Sequence, residues 1–576
     1  LSSAASDVYK RQGYSKGPGR VLPFKGTGTH YFRQALSKAD SNDLPGACAS
    51  YQMALRLEPD NPEYILGMAE MLTGMGRFDD SNRVLLRYFP EEKDRPTECY
   101  FGMGCNFYGL MEYGNARNAL ERYLDLEPEG MFAYDAYDML DALDAYGEEN
   151  MSEVTVLQKE EALEKARQRM AEGELDQAET LLEKELEVRP DHMAARCDLA
   201  LVWYCRQEKK RAEAALEQVL QEAPEHVQAR CTRALLRQSN HDMQGAMEDA
   251  QALREMTIED MDDLHRASLT LMELGDFAGA QPFLRKMAQR APYDTGILHR
   301  QGLCAYALEE YDRAAHYYDL LTKIDRTDTI ARYYRRLCKR TAAGGKKRQG
   351  LPLHYQVPMD EVVQRVRTLN NYIRKSKEAQ QAEWGPEGEL TGLAQWCLTL
   401  SEDDIRQAAL HLIASFGDVW SERLLRDFAL RREPDAEIKR RALGLLKHIG
   451  AKEPYLTYID GQMMESRVSL LPGLPENLPA PYRDVLKTCL EGMRGVRSED
   501  AIQRAGKLWQ SYLEQENHYA HLTGAQVAAL AAALEYAACQ AAEEKVTKLE
   551  LCRKYGVSML RFNGALAKLN GKEPKA

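Results

Sequence analysis

The chain of 576 residues contains no run of about 18 apolar residues, the minimum for a helix that crosses a bilayer. Its first residues, Leu1 to Gln12, lack the apolar stretch of a secretory leader. The tract LSSAASDVYKRQ reads as translated adapter sequence, with the true start either missing or near Gly13, and it is set aside from the fold. Catalytic signatures are missing as well. There is no G-x-x-x-x-G-K-[ST] phosphate loop and no G-x-S-x-G elbow. SKGPGRVLPFKGTGT is only Gly- and Lys-rich, without the strand and the hydroxyl after lysine that a phosphate site requires. The 12 histidines form no H-E-x-x-H, and the 12 cysteines, scattered from Cys48 to Cys552, form no C-x-x-C. No metal site, cofactor or small-molecule substrate is therefore expected. The thiols read as small buried hydrophobes of a reducing compartment, the cytoplasm. A net charge of −13, from 76 basic and 89 acidic side chains, argues against coating nucleic acid or an anionic membrane with the whole surface, while permitting a local basic site.

What the sequence does contain is periodicity. Ala178, Ala212, Ala246, Ala280 and Ala314 stand 34 residues apart. The fourth residue after each is Leu182, Leu216, Ala250, Leu284 and Tyr318, bulky in all but one; the twelfth is Pro190, Pro224, Ile258, Pro292 and Arg326. A small residue suits a close crossing of two helices, and a large one fills the gap beside it. Proline ends the second helix, because it lacks an N–H and constrains the residue before it. Gly173 and Gly275 suit the turn inside each helix pair. The same grammar, more loosely spaced, runs through Ala47, Tyr51, Ala54 and Pro59, through Ala69, Gly76, Phe78, Ser81 and Leu85, and through Gly104, Ala116, Leu120, Tyr123 and Pro128.

This pattern resembles the tetratricopeptide repeat (TPR) family, whose units are helix–turn–helix hairpins of this length. Eight units are expected over about residues 29–326, with an extra helix at Phe132 to Ala145 after the third. One unit cannot bury its apolar face alone, so stacking supplies the core. The resemblance implies an all-α fold, a right-handed superhelical solenoid with a concave groove that binds peptides or proteins. It also implies that the second, fifth, sixth, ninth and twelfth positions of each first helix face inward. The fifth and sixth are His265 and Arg266 in unit seven, His299 and Arg300 in unit eight, and Tyr333 and Tyr334 in the next helix. This strip is the candidate partner site, suited to an acidic peptide or a terminal carboxylate held by arginine forks. The Asn members of the family's chaperone-binding clamp are absent at the matching positions. The competing reading is that these groups pair with neighbouring Asp and Glu.

Arg332 to Arg348 carries eight basic side chains and no acid, as either an anion-binding patch or a polar capping helix running into a linker. Beyond it, Ile405, Arg406, Ala409, Leu410 and Gly417 match Ile438, Lys439, Ala442, Leu443 and Gly450 at an offset of 33, a pattern that resembles a short HEAT-like pair. Near the C-terminus, VTKLELCRKYGVSMLRFNGALAKL resembles a helix-turn-helix, with Gly556 at the turn and Ser558 as N-cap. Together with the helix before it, this segment also resembles the end of a cyclin-like domain. As a DNA reader it would present Ser558, Met559, Arg561, Asn563 and Lys568 to the bases, with Lys548 and Lys554 toward phosphate. Gly564 is a poor residue for the middle of a recognition helix.

The expected organisation is a tail at 1–28, units one to three with the extra helix at 29–149, and units four to eight with a capping helix at 150–341. A linker with one helix at 342–388, HEAT-like helices at 389–455, a linker at 456–480 and a C-terminal helical domain at 481–576 complete it. Two functions remain open: a non-enzymatic scaffold that binds protein or peptide partners in its groove, and a regulator joining that array to a C-terminal DNA-binding module.

Overall fold

A computed structural model describes residues 26–150, 154–386, 388–433, 435–459, 462–466, 478–494, 496–515, 522–542 and 544–569; the adapter-like tract lies outside them. The described residues are predominantly helical, with one two-stranded sheet. The first three hairpins pair α1 (Gly28–Asp40) with α2 (Leu44–Leu57), α3 (Pro62–Gly74) with α4 (Phe78–Tyr88), and α5 (Thr97–Gly109) with α6 (Tyr113–Leu126), followed by a lone α7 (Ala133–Asn150). Five more pair α8 (Val154–Ala171) with α9 (Leu175–Val188), α10 (Met193–Cys205) with α11 (Lys209–Glu222), α12 (Val227–Ser239) with α13 (Met243–Glu255), α14 (Met261–Glu273) with α15 (Phe277–Arg290), and α16 (Thr295–Ala307) with α17 (Tyr311–Ile324); α18 (Thr329–Ala342) follows.

The periodic positions lie where the helix-pair argument requires. Ala178, Ala212, Ala246, Ala280 and Ala314 are all fully buried, and so are the residues four places on. Where the large residue is Tyr318, the facing position of α16 is Gly302; a Cβ there would lie 2.8 Å from the tyrosine ring, so only glycine leaves room.

Each hairpin turns in the same way. The residue just past the first helix has positive φ at Asn42, Gly76, Met111, Gly173, Gln207, His241, Gly275 and Glu309. Each turn closes with the same pair of bonds, such as Glu309 N to Tyr306 O at 3.2 Å and Glu310 N to Ala305 O at 2.8 Å. This is the Schellman closure, which satisfies the last carbonyls of the first helix. Only three of the eight turns use glycine, so five hold a side chain in the left-handed region, at roughly 1–2 kcal/mol each.

After α18 the chain does not leave as a free linker. Residues 346–358 lie along α16 and α18 as a strap without helix or strand, bent at 353–356, followed by α19 (Met359–Ile373) and α20 (Lys377–Ala382). Helices α21 (Glu389–Cys397), α22 (Asp403–Ala414), α23 (Val419–Ala429) and α24 (Ala436–His448) extend the same hydrophobic core. Where the sequence reads as a connection, β1 (Tyr455–Ile459) and β2 (Gln462–Ser466) form an antiparallel pair with Tyr455 opposite Ser466. Its first strand is pinned to α23 by Thr457 Oγ1 donating to Ala429 O at 2.9 Å. The β-prone tract at 467–471 lies outside the described residues.

The first three hairpins fold back on the later ones. Cys48 on α2 sits beside Ile324, and the Arg326 amide donates to Gln52 Oε1 at 2.9 Å. Arg77 donates to Thr295 Oγ1 at 2.8 Å. Asp427 on α23 receives Arg83 and Arg87 from α4 at 3.3 and 3.5 Å, and Arg432 pairs with Asp79 at 2.9 Å and with Glu112. Leu430 and Ile324 join the apolar core of the first array. The result is a chain clasped to itself by a largely ionic seam.

The C-terminal helices α25 (Ala480–Met493), α26 (Glu499–Gln515), α27 (Gly524–Ala541), α28 (Lys548–Lys554) and α29 (Met559–Leu569) pack a core of their own around Trp509 and Phe562. Within it Glu535 is fully buried and holds Arg497 at 2.9 Å, Lys554 at 2.8 Å and the Tyr555 hydroxyl at 2.5 Å.

Candidate partner-binding groove

The candidate strip lies on successive first helices, α14 and α16, and on α18. Most arginines nearby are anchored. Arg230, Arg233 and Arg237 converge on buried Asp249, Arg167 holds Asp198 at 2.8 Å, and Arg335 holds Asp319 at 3.1 Å. Arg266 and Arg300, among the described residues, have neither an ion pair nor a hydrogen bond. Arg300 is only 8% exposed, and its Nε is buried without a partner. Burial pulls its pKa down, against the attraction of Asp294. An unpaired buried cation is costly, since its desolvation is not offset by a partner.

Its surroundings extend that character. His265 is half-buried, and desolvation, then the charge of Arg300, depress its pKa, leaving it more readily neutral than a free histidine. His226 is depressed by burial, and Asp263 is raised by burial and by Asp260, with Arg266 opposing. The cluster can thus offer two guanidinium forks and two imidazoles, with Asp263 and Asp294 at its edge. Sequence reasoning did not single out His226 and Asp263; His226 caps the start of α12 and Asp263 lies in the first turn of α14, at positions marked by no motif.

His299, Tyr333 and Tyr334 have a different environment. His299 is fully buried: Tyr318 OH lies 3.1 Å from Nδ1 and Pro352 O lies 3.1 Å from Nε2. A carbonyl can only accept, so Nε2 carries the proton and Nδ1 accepts from the tyrosine. Burial drives the His299 pKa down to about 4. Its ring meets Tyr334 and Tyr355 edge-on at 5.0 and 5.2 Å, and Tyr318 stacks on Tyr334 at 4.9 Å. Tyr334 donates to Gln356 O at 2.7 Å, and half-buried Tyr333 packs edge-on against Tyr334 at 5.2 Å. Tyr355 donates at 2.5 Å to Asp328, which also caps α18 by accepting from Ile330 N and Ala331 N. Burial, then repulsion from Asp325, lifts the Asp328 pKa to about 6. The strip therefore divides: among the described residues, the side chains of Arg266, Arg300 and His265 make no hydrogen bond or ion pair, whereas His299 and Tyr334 are engaged by the chain's own strap.

At the C-terminal pair, Gly556 has φ +64° and Ser558 Oγ accepts from Arg561 N at 3.4 Å. Lys554 is held by buried Glu535, and Lys548 reaches Asn563 at 3.5 Å and lies over the Tyr536 ring. Arg561 and Lys568 are exposed beside a cleft of about 360 Å³ between α27 and α29, which Gly564 also lines. Phe562 is buried, whereas Leu560 is 85% exposed. No group of three or more His, Cys, Asp or Glu that could hold a metal occurs among the described residues, and no helix there is long and apolar enough to cross a membrane.

No family model matches the chain. It is 25% identical over 192 residues to the TPR repeat-containing protein YvcD of Bacillus subtilis (strain 168), across 33% of this chain and 39% of that protein. It is 28% identical over 99 residues to the Protein CTR9 homolog of Arabidopsis thaliana, across 17% of this chain and 9% of that one. The chain thus spans well under half the length of either relative. Among solved structures, the TPR domain of P58(IPK) aligns over 56% of this chain and 99% of its own length, at 14% identity and a TM-score of 0.23. YrrB, described as a TPR protein with an unusual peptide-binding site, aligns over 29% of this chain and 86% of its own, at 18% and 0.23. With its 34-residue register and eight Schellman-closed hairpins, the array is of the tetratricopeptide type.

Proposed function

We propose that this protein is a non-enzymatic scaffold that holds a protein or peptide partner on the first helices of its second array, with an acidic group of the partner seated on Arg266 and Arg300. The observation that carries this reading is the state of Arg300: a guanidinium 8% exposed and unpaired, in a chain where carboxylates outnumber cations. Arg233, Arg237 and Arg335 hold internal carboxylates, whereas among the described residues Arg300 has no ion pair. Charge-assisted bidentate contact with a carboxylate would satisfy it. His265 and Arg266 extend the recognition surface along α14.

The test is affinity capture with the full chain followed by crosslinking mass spectrometry. Crosslinks from the partner should concentrate on α12, α14 and α16. A partner whose crosslinks fall on the second helices, or only on the C-terminal bundle, overturns the assignment.

A second reading has one observation in its favour: exposed Arg561 and Lys568 beside the cleft at α29, on a helix pair with a turn glycine and a serine cap. There the C-terminal pair would contact DNA. Lys554 and Lys548, both occupied internally, weaken that reading. A mobility shift at low salt with pooled duplexes decides it, and absence of any shift removes it.

A further inference from the structure

The cleft between α27 and α29 has the make-up of a small-ligand site. Its volume of about 360 Å³ is at the lower end for such sites. Leu522, Ala529 and Leu530 line it from the α27 side, and Gly564 and Ala565 line it from α29. Arg561 and Lys568 stand on that same stripe of α29, two turns apart, to either side of the glycine. The other polar groups at its edge are spent on each other: Thr523 N and Oγ1 both donate to Gln526 Oε1, at 2.8 and 2.9 Å, and so close the start of α27. Among the described residues no carboxylate lines the cleft, and the side chains of Arg561 and Lys568 make no hydrogen bond or ion pair.

Gly564 points the same way. It stands in the middle of α29 without a positive φ, and a Cβ built there would meet no atom within 4 Å. Glycine weakens a helix interior relative to alanine. At Gly302 the ring of Tyr318 requires it, whereas at Gly564 no turn and no neighbour among the described residues does. The bare position keeps the floor of the cleft open.

We propose that this cleft binds a small amphiphilic carboxylate, an unbranched aliphatic acid whose chain lies over Gly564 and whose carboxylate is held at the rim by Arg561 and Lys568. The chain buries apolar surface against Leu522, Ala529 and Leu530, and the charge meets two cations that the fold leaves without acids. The hydrocarbon stems of Arg561 and Lys568 flank the chain while their heads stay in water. A DNA duplex brings the charge but nothing to lay on the apolar floor, so the cleft favours the acid. Arg266 and Arg300, on the second array, play no part in it.

Isothermal titration calorimetry of the full chain with decanoate, below its micelle concentration, tests the proposal. Decanoate should bind at least tenfold more tightly than hexanoate, because each added methylene buries further apolar surface. Gly564→Leu fills the floor into open space and should weaken decanoate at least tenfold, with the melting curve retained. Arg561→Gln with Lys568→Gln, at exposed positions, should do the same. The proposal is overturned by an unmodified chain that does not bind decanoate, by equal affinity for the two acids, or by equal affinity in the unmodified chain and Gly564→Leu. If Gly564→Leu unfolds the bundle, the double charge variant decides alone, and unchanged affinity there overturns the proposal. A duplex pool run on the same samples separates the DNA reading. A mobility shift that is lost with the two cations and kept in Gly564→Leu, beside decanoate that does not bind, assigns the rim to DNA and removes the acid.

Discussion

Replacing Asp427 by alanine should release the first array from α23. The Asp427 carboxylate is 13% exposed and sits among Arg83 and Arg87 of α4 and Arg431 just past the end of α23, at 3.3, 3.5 and 3.4 Å. These arginines hold its pKa below the usual carboxylate range, although burial alone would raise it. Removing one partner from a buried ionic cluster costs about 3–5 kcal/mol, because the other charges stay behind uncompensated. Here Arg83 keeps Asp79 and Asp80, and Arg87 keeps its stacking on Tyr88, so the lower end applies, about 3 kcal/mol. That is roughly a hundredfold shift toward the unclasped state. Hydrogen exchange should show amides of α4 and α23 losing protection together, while α14 and α16 keep theirs. Asp427→Ala with unchanged exchange on both α4 and α23, or a stability loss below about 0.5 kcal/mol of the kind expected at an indifferent surface site, would refute the seam as the clasp.

Overfilling the register should unfold the stack: Ala280→Leu, at a fully buried crossing, is expected to cost about 1–3 kcal/mol by urea denaturation, against little change for a leucine at an exposed second-helix position. Turn strain should be recoverable in the opposite direction, Gln207→Gly and Glu309→Gly each raising stability by about 0.5–1 kcal/mol once glycine's own entropy is deducted. Acidification sets two neighbours against each other. His299, with a folded pKa of about 4 against an ordinary value of 6.5, contributes stability that is full above 6.5 and lost as pH falls through 4. Asp328, raised from 3.8 to about 6, contributes stability that is full below 3.8 and lost as pH rises through 6. The two slopes oppose across nearly the same window, so Asp328→Asn should leave the His299 loss uncovered and make the protein less stable at pH 4 than the unmodified chain, relative to pH 7, by about 3 kcal/mol. Urea denaturation at the two pH values checks it.

The all-α repeat was legible because its signal is steric and periodic: alanine at a close crossing cannot be replaced cheaply, so it recurs at 34. Turn geometry was legible only where glycine marks it. Met111, Gln207 and His241 adopt the same left-handed turn with no composition cue, because closure by two backbone bonds compensates the strain. Arg266 and Arg300 could be proposed from their register, but pairing is a property of space. Nothing in the order of residues distinguishes Arg233, which found Asp249, from Arg300, which found no carboxylate. The strap was hidden for a related reason. PLHYQVP lacks periodicity and reads as a linker, and its role comes from the carbonyls it presents, which every residue has. The clasp between α4 and α23 joins residues more than three hundred apart by ion pairs, and sequence pattern carries no information at that range.

The most direct measurement is a fluorescence anisotropy titration of a short acidic peptide with a free terminal carboxylate, against the unmodified chain, against Arg266→Gln with Arg300→Gln, and against Lys210→Gln at an exposed position of α11. A hydrogen bond to a charged group is worth about 1.5–3 kcal/mol, so the double variant should bind at least tenfold more weakly, with its melting curve retained. Lys210→Gln should bind as the unmodified protein does. Equal affinity across all three, or an equal weakening in both variants, would contradict the claim that this array presents a built anion receptor on α14 and α16.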